Sequence, residues 1–558
     1  MKRALVLAGM LFAGCSRESP APAAPQADAR SVTPTIAFTD VSTTCGVDFV
    51  HDAGKTDEKE LPETMGAGAA LVDVDEDGDL DLYCVQSGPL PVPGRPRPKD
   101  APTNRLYLND GQAHFRDATR ESGDAAQANY GMGVIRGDAN GDGHADFFLT
   151  NLGPDVLLLG DGQAHFRDTT AQSGIRGDEW TTGAAFLDAD DDGDLDLFVC
   201  TYVAIDLAHP LWCGERKPGW RSYCHPDAYP GLEDHFWKNN GDATFVEATT
   251  EAGFSDPGGK GLCVAASDLD GDGFVDLYVA NDSTENRFYR GKGDGTFEDA
   301  TLEAGIGVDR FGRTEASMGI AIGDVDGNGT PDLFVTGFDD ESDTLYLQRT
   351  PGQFEDRTVQ AGLEAPTMLP VGFGCVLADF DLDGDLDLAL TNGHIIDNIE
   401  LYSDAKTHAQ KALLFENDGQ GRFREIDGGS FSSTPFVGRG LYTGDLDGNG
   451  TPDLVLTQND GPARVWLARP PGVPACTLRG LPPGTRVLRR GKLAGLSGAA
   501  PSYFGACADE LVLPLPDGAP QELELRAPRA ATQRFVLGPG LQQFRGKPGA
   551  LHVELRKR

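Results

Sequence analysis

The sequence predicts an all-β protein: a seven-bladed β-propeller with a small C-terminal β domain. Three observations carry this reading. An Asp-rich loop recurs seven times, a second signature of the form F-x-[DE] alternates with it, and the runs between the two alternate apolar and polar residues with the strand period of two. The 72 glycines fit a turn-rich chain. No apolar run is long enough to cross a bilayer as a helix, and a formal net charge of −40 repels phosphate backbones, which excludes nucleic acid as a partner.

The first loop, D-V-D-E-D-G-D-L-D-L, places Asp73, Asp75, Asp77 and Asp81 at positions 1, 3, 5 and 9. The same positions hold Asp138, Asn140, Asp142 and Asp146 in the second loop, and Asp188, Asp190, Asp192 and Asp196 in the third. They hold Asp268, Asp270, Asp272 and Asp276 in the fourth, and Asp324, Asp326, Asn328 and Asp332 in the fifth. The sixth has Asp379, Asp381, Asp383 and Asp387; the seventh has Asp445, Asp447, Asn449 and Asp453. Loop starts lie 65, 50, 80, 56, 55 and 66 residues apart, a repeat-architecture period.

Four such oxygen-bearing positions around a Gly at position 6 gather hard ligands in one small volume, the coordination Ca²⁺ prefers. An EF-hand loop begins alike but needs a bidentate Glu at position 12. Here that position holds Cys84, Leu149, Val199, Val279, Val335, Leu390 and Leu456, so EF-hands are excluded. The expectation is up to seven calcium ions, mainly structural, tying adjacent strands.

Each repeat unit reads as four strands: one entering the Asp loop, one leaving it, one of L-Y-x-N type and one of F-x-D-x-T type. The last signature occurs at Phe38, Phe115, Phe166, Phe245, Phe297, Phe354 and Phe423. The one at Phe38 precedes every Asp loop, while the seventh unit lacks a closing one. Residues 38–42 are therefore expected to supply the outer strand of the last blade, which also removes a free edge.

At the start of the chain, Lys2 and Arg3 precede a short apolar stretch ending L-F-A-G-C. Residues 1–15 read as an export signal that resembles a bacterial lipoprotein signal, with Cys15 as the lipidated residue and an ordinary secretory signal as the alternative. Ser16 after the Cys favours outer-membrane sorting. The Pro/Ala-rich stretch 16–34 reads as a tether, 35–468 as the propeller and 475–558 as the C-terminal domain. The expected location is the outer membrane or cell surface, on the periplasmic or extracellular face. Ten cysteines fit an oxidising compartment. Cys213 with Cys224 is the first expected disulfide and Cys476 with Cys507 the second.

Several segments then narrow the reading. The Asp loops with their D-L-x-[VL] strands resemble FG-GAP/VCBS repeats of the kind that build integrin α-chain propellers. F-T-D-V-S and L-P-E-T-M-G-A-G (38–68), Y-C-H-P-D-A-Y-P-G-L-E-D (223–234), V-A-N-D-S-T-E-N (279–286), M-G-I-A-I-G-D-V-D-G-N-G (318–329), T-N-G-H-I-I-D-N (391–398) and G-R-G-L-Y-T-G-D-L-D-G-N-G (438–450) resemble the cartilage acidic protein/UnbV-like group. The resemblance covers about 35–468 and implies secreted calcium-binding or adhesion-type proteins without an agreed reaction. It also implies that 475–558 is a divergent ASPIC/UnbV-like module. That segment carries 13 basic and 6 acidic residues. It reads as a basic cap on an acidic propeller, as a solvated basic face, or as one touching anionic lipid.

The longest insertion, 201–235, holds Trp212, Trp220, Tyr223, His225 and Tyr229 around the expected disulfide. These residues form a candidate ligand surface, with loop packing as the alternative. Of two Arg-Gly-Asp tripeptides, the one at 136–138 gives its Asp138 to the second loop as a ligand, and the one at 176–178 reads as chance. His225 and His394 are candidates for catalysis, against the reading of hydrogen-bonded structural histidines. The function expected is that of a lipid-anchored, calcium-binding, monomeric module that binds an extracellular protein or glycan. The rival is a calcium-dependent extracellular enzyme, such as a polysaccharide lyase or hydrolase, although no nucleophile–base motif supports it.

Overall fold

A computed structural model of the chain describes residues 36–481 except Ala67, together with 485–490, 492–497, 502–527, 531–545 and 552–555. The expected signal 1–15, its Cys15 and the tether 16–34 lie outside the described residues.

Seven four-stranded antiparallel sheets precede the C-terminal domain. The first comprises Ala69–Val72, Asp81–Cys84, Arg105–Asn109 and Phe115–Asp117, with the Asp loop joining its first two strands. The later sheets open with Gly131–Gly137, Thr181–Leu187, Gly261–Ser267, Ile320–Gly323, Gly372–Ala378 and Gly438–Gly444. These opening strands neighbour one another in chain order, and the seventh neighbours the first. They are the inner strands of a propeller. Their glycines allow the close approach: a Cβ on Gly319 would sit 2.0 Å from Phe373 O, and one on Gly374 would sit 2.3 Å from Leu441 N.

The seventh sheet is completed by Phe38–Asp40, which pairs antiparallel with Arg464–Ala468, Phe38 opposite Ala468. The F-x-D-x-T signature explains why this strand fits. In the first sheet Asp117 accepts from Thr119 N (2.9 Å), and Thr119 Oγ1 accepts from Leu106 N on the third strand (3.0 Å). In the seventh, Asp40 accepts from Ser42 N (2.9 Å) and Ser42 Oγ accepts from Val465 N (2.9 Å). The same clasp thus fastens outer strand to third strand across a sequence separation of 423.

A second clasp was not apparent in the repeat pattern. The residue before the third strand turns its side-chain oxygen to an amide at the end of the second. Asn104 accepts from Gln86 N (2.8 Å), Asp155 from Asn151 N (3.0 Å), Asp234 from Thr201 N (2.8 Å), Asn286 from Asn281 N (2.8 Å) and Asp343 from Gly337 N (2.8 Å). Asp343 is buried, and desolvation pushes its carboxyl up to about 7. Its unfolded counterpart ionises near 3.8. Folding therefore retains a proton between these values, and the stability it contributes is lost as pH rises across that window. Because Asn does the same work at 104 and 286, Asp343→Asn is expected to be nearly neutral at pH 4. At pH 8 it should be more stable than the wild type by a few kcal/mol, about 1.4 per pH unit of the window. Thermal melts of both proteins across this range check it; a stability difference that does not change with pH would contradict it.

The described residues from 475 to 555 build two further four-stranded sheets, with Ala475–Arg479 parallel to Gly540–Arg545 and the other described pairs antiparallel. Cys476, Leu478, Val487, Leu513, Leu523 and Phe544 share their core. The expected Cys476–Cys507 disulfide is absent, and both thiols are free. Cys476 packs inside this domain, whereas Cys507 packs among propeller residues such as Leu71 and Tyr442, so the two belong to different cores.

Candidate metal loops and ligand face

The hairpin of first and second strands puts all seven Asp loops at the same end of the sheets. Position 6 explains the loop shape: Gly78, Gly143, Gly193, Gly273, Gly329, Gly384 and Gly450 have φ between +83° and +104°, a region that suits glycine. The position-1 carboxylate caps the turn; Asp73 Oδ2 accepts from Gly78 N (3.1 Å) and Asp379 Oδ2 from Gly384 N (3.0 Å). Position 5 folds the exit, with Asp77 accepting from Asp79 N (2.9 Å) and Asn328 from Thr330 N (2.7 Å).

Position 9 does something the sequence reading did not assign. Asp81 accepts from Val74 N (3.0 Å) with one oxygen and from Asn109 N (2.9 Å) with the other. Asp146, Asp196, Asp276, Asp332, Asp387 and Asp453 repeat this double bond, from loop position 2 and from the third strand. All seven are buried. The ninth residue is therefore a staple between loop and third strand as well as a candidate ligand.

Carboxylate oxygens converge within 4.8 Å of one another at Asp73/Asp75/Asp81, Asp188/Asp190/Asp192, Asp268/Asp270/Asp276, Asp324/Asp326/Asp332 and Asp379/Asp381/Asp387. Positions 1, 3 and 9 thus meet in four of these loops, and positions 1, 3 and 5 in the third. The residues fit a hard cation on two counts. Asp381 Oδ2, Asp188 Oδ1 and Asp190 Oδ1 are buried without a hydrogen-bond partner among the described residues. The Asp379, Asp381 and Asp387 carboxyls are also all pushed above the usual range, first by burial and then by repulsion from neighbouring carboxylates of the same loop, Asp383 among them. Buried oxygens crowded at this distance need a counter-charge.

The C-terminal domain lies against this end. Arg479 donates to Gly78 O (2.6 Å) inside the first loop and pairs with Glu510 (2.7 Å). Arg486 donates to Asp268 O (3.0 Å) in the fourth, and Glu510 accepts from Asp445 N in the seventh. Arg136 of the first Arg-Gly-Asp tripeptide pairs with Asp509 (2.6 Å) and is an internal contact. A cavity of about 1550 Å³ remains between the loops and the domain, with Leu71, Ile135, Phe186 and Leu496 on its walls.

The opposite end carries the 201–235 insertion as a strap. Cys213 and Cys224 are disulfide-bonded, with Cα atoms 5.2 Å apart. From the third sheet the strap reaches the insertion of the sixth: Asn398 donates to Gly219 O and Arg221 O (3.0 Å each), and Tyr402 OH donates to Trp220 O (2.6 Å). The candidate ligand surface divides here. Tyr223 and Tyr229 are buried, Tyr223 OH donating to Glu63 (3.2 Å), because the strap folds these rings inward onto the propeller. Trp212 is 46% exposed, flanked by Arg221 and Arg216 at 4.7 and 5.9 Å, and Tyr402, 41% exposed, meets Trp220 edge-on at 5.3 Å. His225 is exposed near Asp227 (3.4 Å), while His394 is buried against Asp339 (3.0 Å). These two histidines have different partners, and neither lines the cavity.

Repeated four-stranded sheets with an Asp-rich loop after each inner strand define a β-propeller. The FG-GAP-like repeat family matches residues 73–149, 138–199, 268–335 and 324–390. The chain is also similar to cartilage acidic protein 1. It is 25% identical to the human protein over 420 residues, covering 72% of this chain and 58% of that one. The mouse protein is 23% identical over 420 residues, covering 72% and 59%. The chain thus spans less than two thirds of these relatives' length. Among solved structures it is similar to the BP39L lectin from Burkholderia pseudomallei (TM-score 0.44, 12% identity, 73% of this chain and 96% of that one). It is also similar to an Agrocybe aegerita lectin (TM-score 0.39, 18% identity, 71% and 87%).

Proposed function

We propose that the protein is an exported, calcium-binding propeller, anchored through Cys15, whose monomeric fold presents the strap as the binding face for an extracellular protein or glycan. The observation that carries it is the polarity of the molecule. Crowded buried carboxylates occupy one end beneath the C-terminal domain, and disulfide-pinned aromatics stand in solvent at the other. Calcium at the loops stiffens the sheets; Trp212, Trp220 and Tyr402 supply rigid aromatic contact area. The enzyme alternative is not carried forward, because its two candidate histidines stand apart, His225 near Asp227 and His394 against Asp339. The test is a glycan and envelope-protein binding screen of the full chain, with calcium and with chelator. A ligand bound in calcium, lost with chelator and weakened about tenfold or more by Trp212→Ala at unchanged melting temperature supports the reading. Binding indifferent to Trp212→Ala would move the ligand face elsewhere.

A further inference from the structure

The inner strands enclose a channel, and residues 502–508 of the C-terminal domain run along it. Ala506 N donates to Ala69 O, Leu71 N to Ala506 O, Val134 N to Phe504 O and Ala508 N to Thr443 O, each at 3.1 Å. Ser502 Oγ donates to Leu441 O (2.5 Å), Cys263 Sγ to Ser502 O (2.9 Å), Tyr442 OH to Tyr503 O (2.9 Å) and Tyr503 OH to Met65 O (3.3 Å). The Tyr503 ring meets Phe373 edge-on at 5.0 Å. One short segment therefore touches the inner strands of the first, second, fourth, sixth and seventh sheets.

Glycines make room for it. A Cβ on Gly68 would stand 1.9 Å from Phe504 O, one on Gly133 2.9 Å from the same oxygen, and one on Gly505 2.1 Å from Ala69 O. The tip also reaches the far end of the molecule. Tyr503 and Phe504 share a buried apolar cluster with Cys224 and Tyr229 of the strap, and with Trp180 and Tyr202. Phe373, against Tyr503, lies under the Arg439 guanidinium (3.9 Å), which donates to Thr64 O (2.8 Å) and Gly393 O (3.0 Å).

We propose that residues 502–508 are an axial pin that couples the two ends of the propeller: opening of the C-terminal domain withdraws the pin, uncovers the channel and loosens the strap. The coupling runs through contiguous packed side chains and backbone hydrogen bonds, so the domain and the strap open together. It does not depend on the nature of the ligand or on calcium.

Cys263 reports the pin, because its thiol is buried, pushed up to about 12 by desolvation, and bonded to Ser502 O. In the wild-type full chain, thiol labelling and hydrogen exchange are followed by mass spectrometry at increasing denaturant. Labelling of Cys263, exchange across 510–545 and exchange across the strap 213–229 are expected to rise at one midpoint. Exchange of the C-terminal domain at a lower midpoint, with Cys263 still protected, would overturn the proposal. Gly505→Ala is expected to speed labelling of Cys263 about tenfold or more and to raise exchange in the strap. Gly538→Ala, whose Cβ would meet only Pro520 at 3.6 Å, should behave as wild type. Wild-type labelling in Gly505→Ala would contradict the pin, and if that variant does not fold the wild-type measurement decides.

Discussion

Asp276→Ala is expected to lower the stability of the chain by about 3–5 kcal/mol in chelator, and by more in calcium because a ligand is lost as well. Asp276 is fully buried, and its carboxylate accepts from Leu269 N (2.9 Å), Asp270 N (3.2 Å) and Gly291 N (3.0 Å). Alanine leaves these three amides without an acceptor in a dry site, at about 1–3 kcal/mol for each unpaired group before relaxation. Asp276→Asn keeps one acceptor oxygen and should fall between wild type and alanine in chelator. In calcium it should lose ground relative to wild type, because a ligand charge has gone. Denaturant titrations under both conditions check these orders. An alanine variant within 1 kcal/mol of wild type would remove the ninth-position staple from the account.

Calcium removal is the second large effect expected. A site held at 100 times its dissociation constant contributes about 2.7 kcal/mol. Five convergent carboxylate groups acting this way would shift the melting temperature by about 10 °C or more. Magnesium should restore little of it, because it demands a tighter octahedron and keeps its waters. The loss should be greatest at the sixth loop, where Asp379, Asp381 and Asp387 are all buried and Asp381 Oδ2 lacks a partner. Differential scanning calorimetry in calcium, magnesium and chelator checks it; superimposable melts would contradict it.

The parts of this molecule that were legible in the sequence are those whose partners are near in the chain. An Asp loop closes within ten residues, so its ligand positions and its Gly at position 6 can be read directly. The outer strand at Phe38–Asp40 was legible because one signature stood out of order. The staple was not. The third-strand amide that position 9 holds lies 28 residues away at Asn109 but 43 away at Asn239, with insertions of different length between.

Aromatic exposure was equally hidden. Trp212 and Tyr223 look alike in a Cys-bracketed insertion, yet one faces solvent and the other meets Glu63, a residue 160 positions earlier. The pin is the extreme case. S-Y-F-G-A-C-A reads as an unremarkable loop, and its partners are spread over inner strands that only the closed arrangement of sheets brings together. Gly68, which looks like a family marker in the sequence, proves together with Gly133 to be the clearance for its backbone.

The central claim is that the Asp loops hold calcium, and the most direct measurement counts the metal. The full chain is stripped with chelator, dialysed against about millimolar Ca²⁺ and analysed for bound metal per chain by elemental mass spectrometry. Five to seven ions are expected, the five carboxylate groups named above setting the lower bound and the seven loops the upper. Fewer than one ion per chain at that concentration would contradict the account.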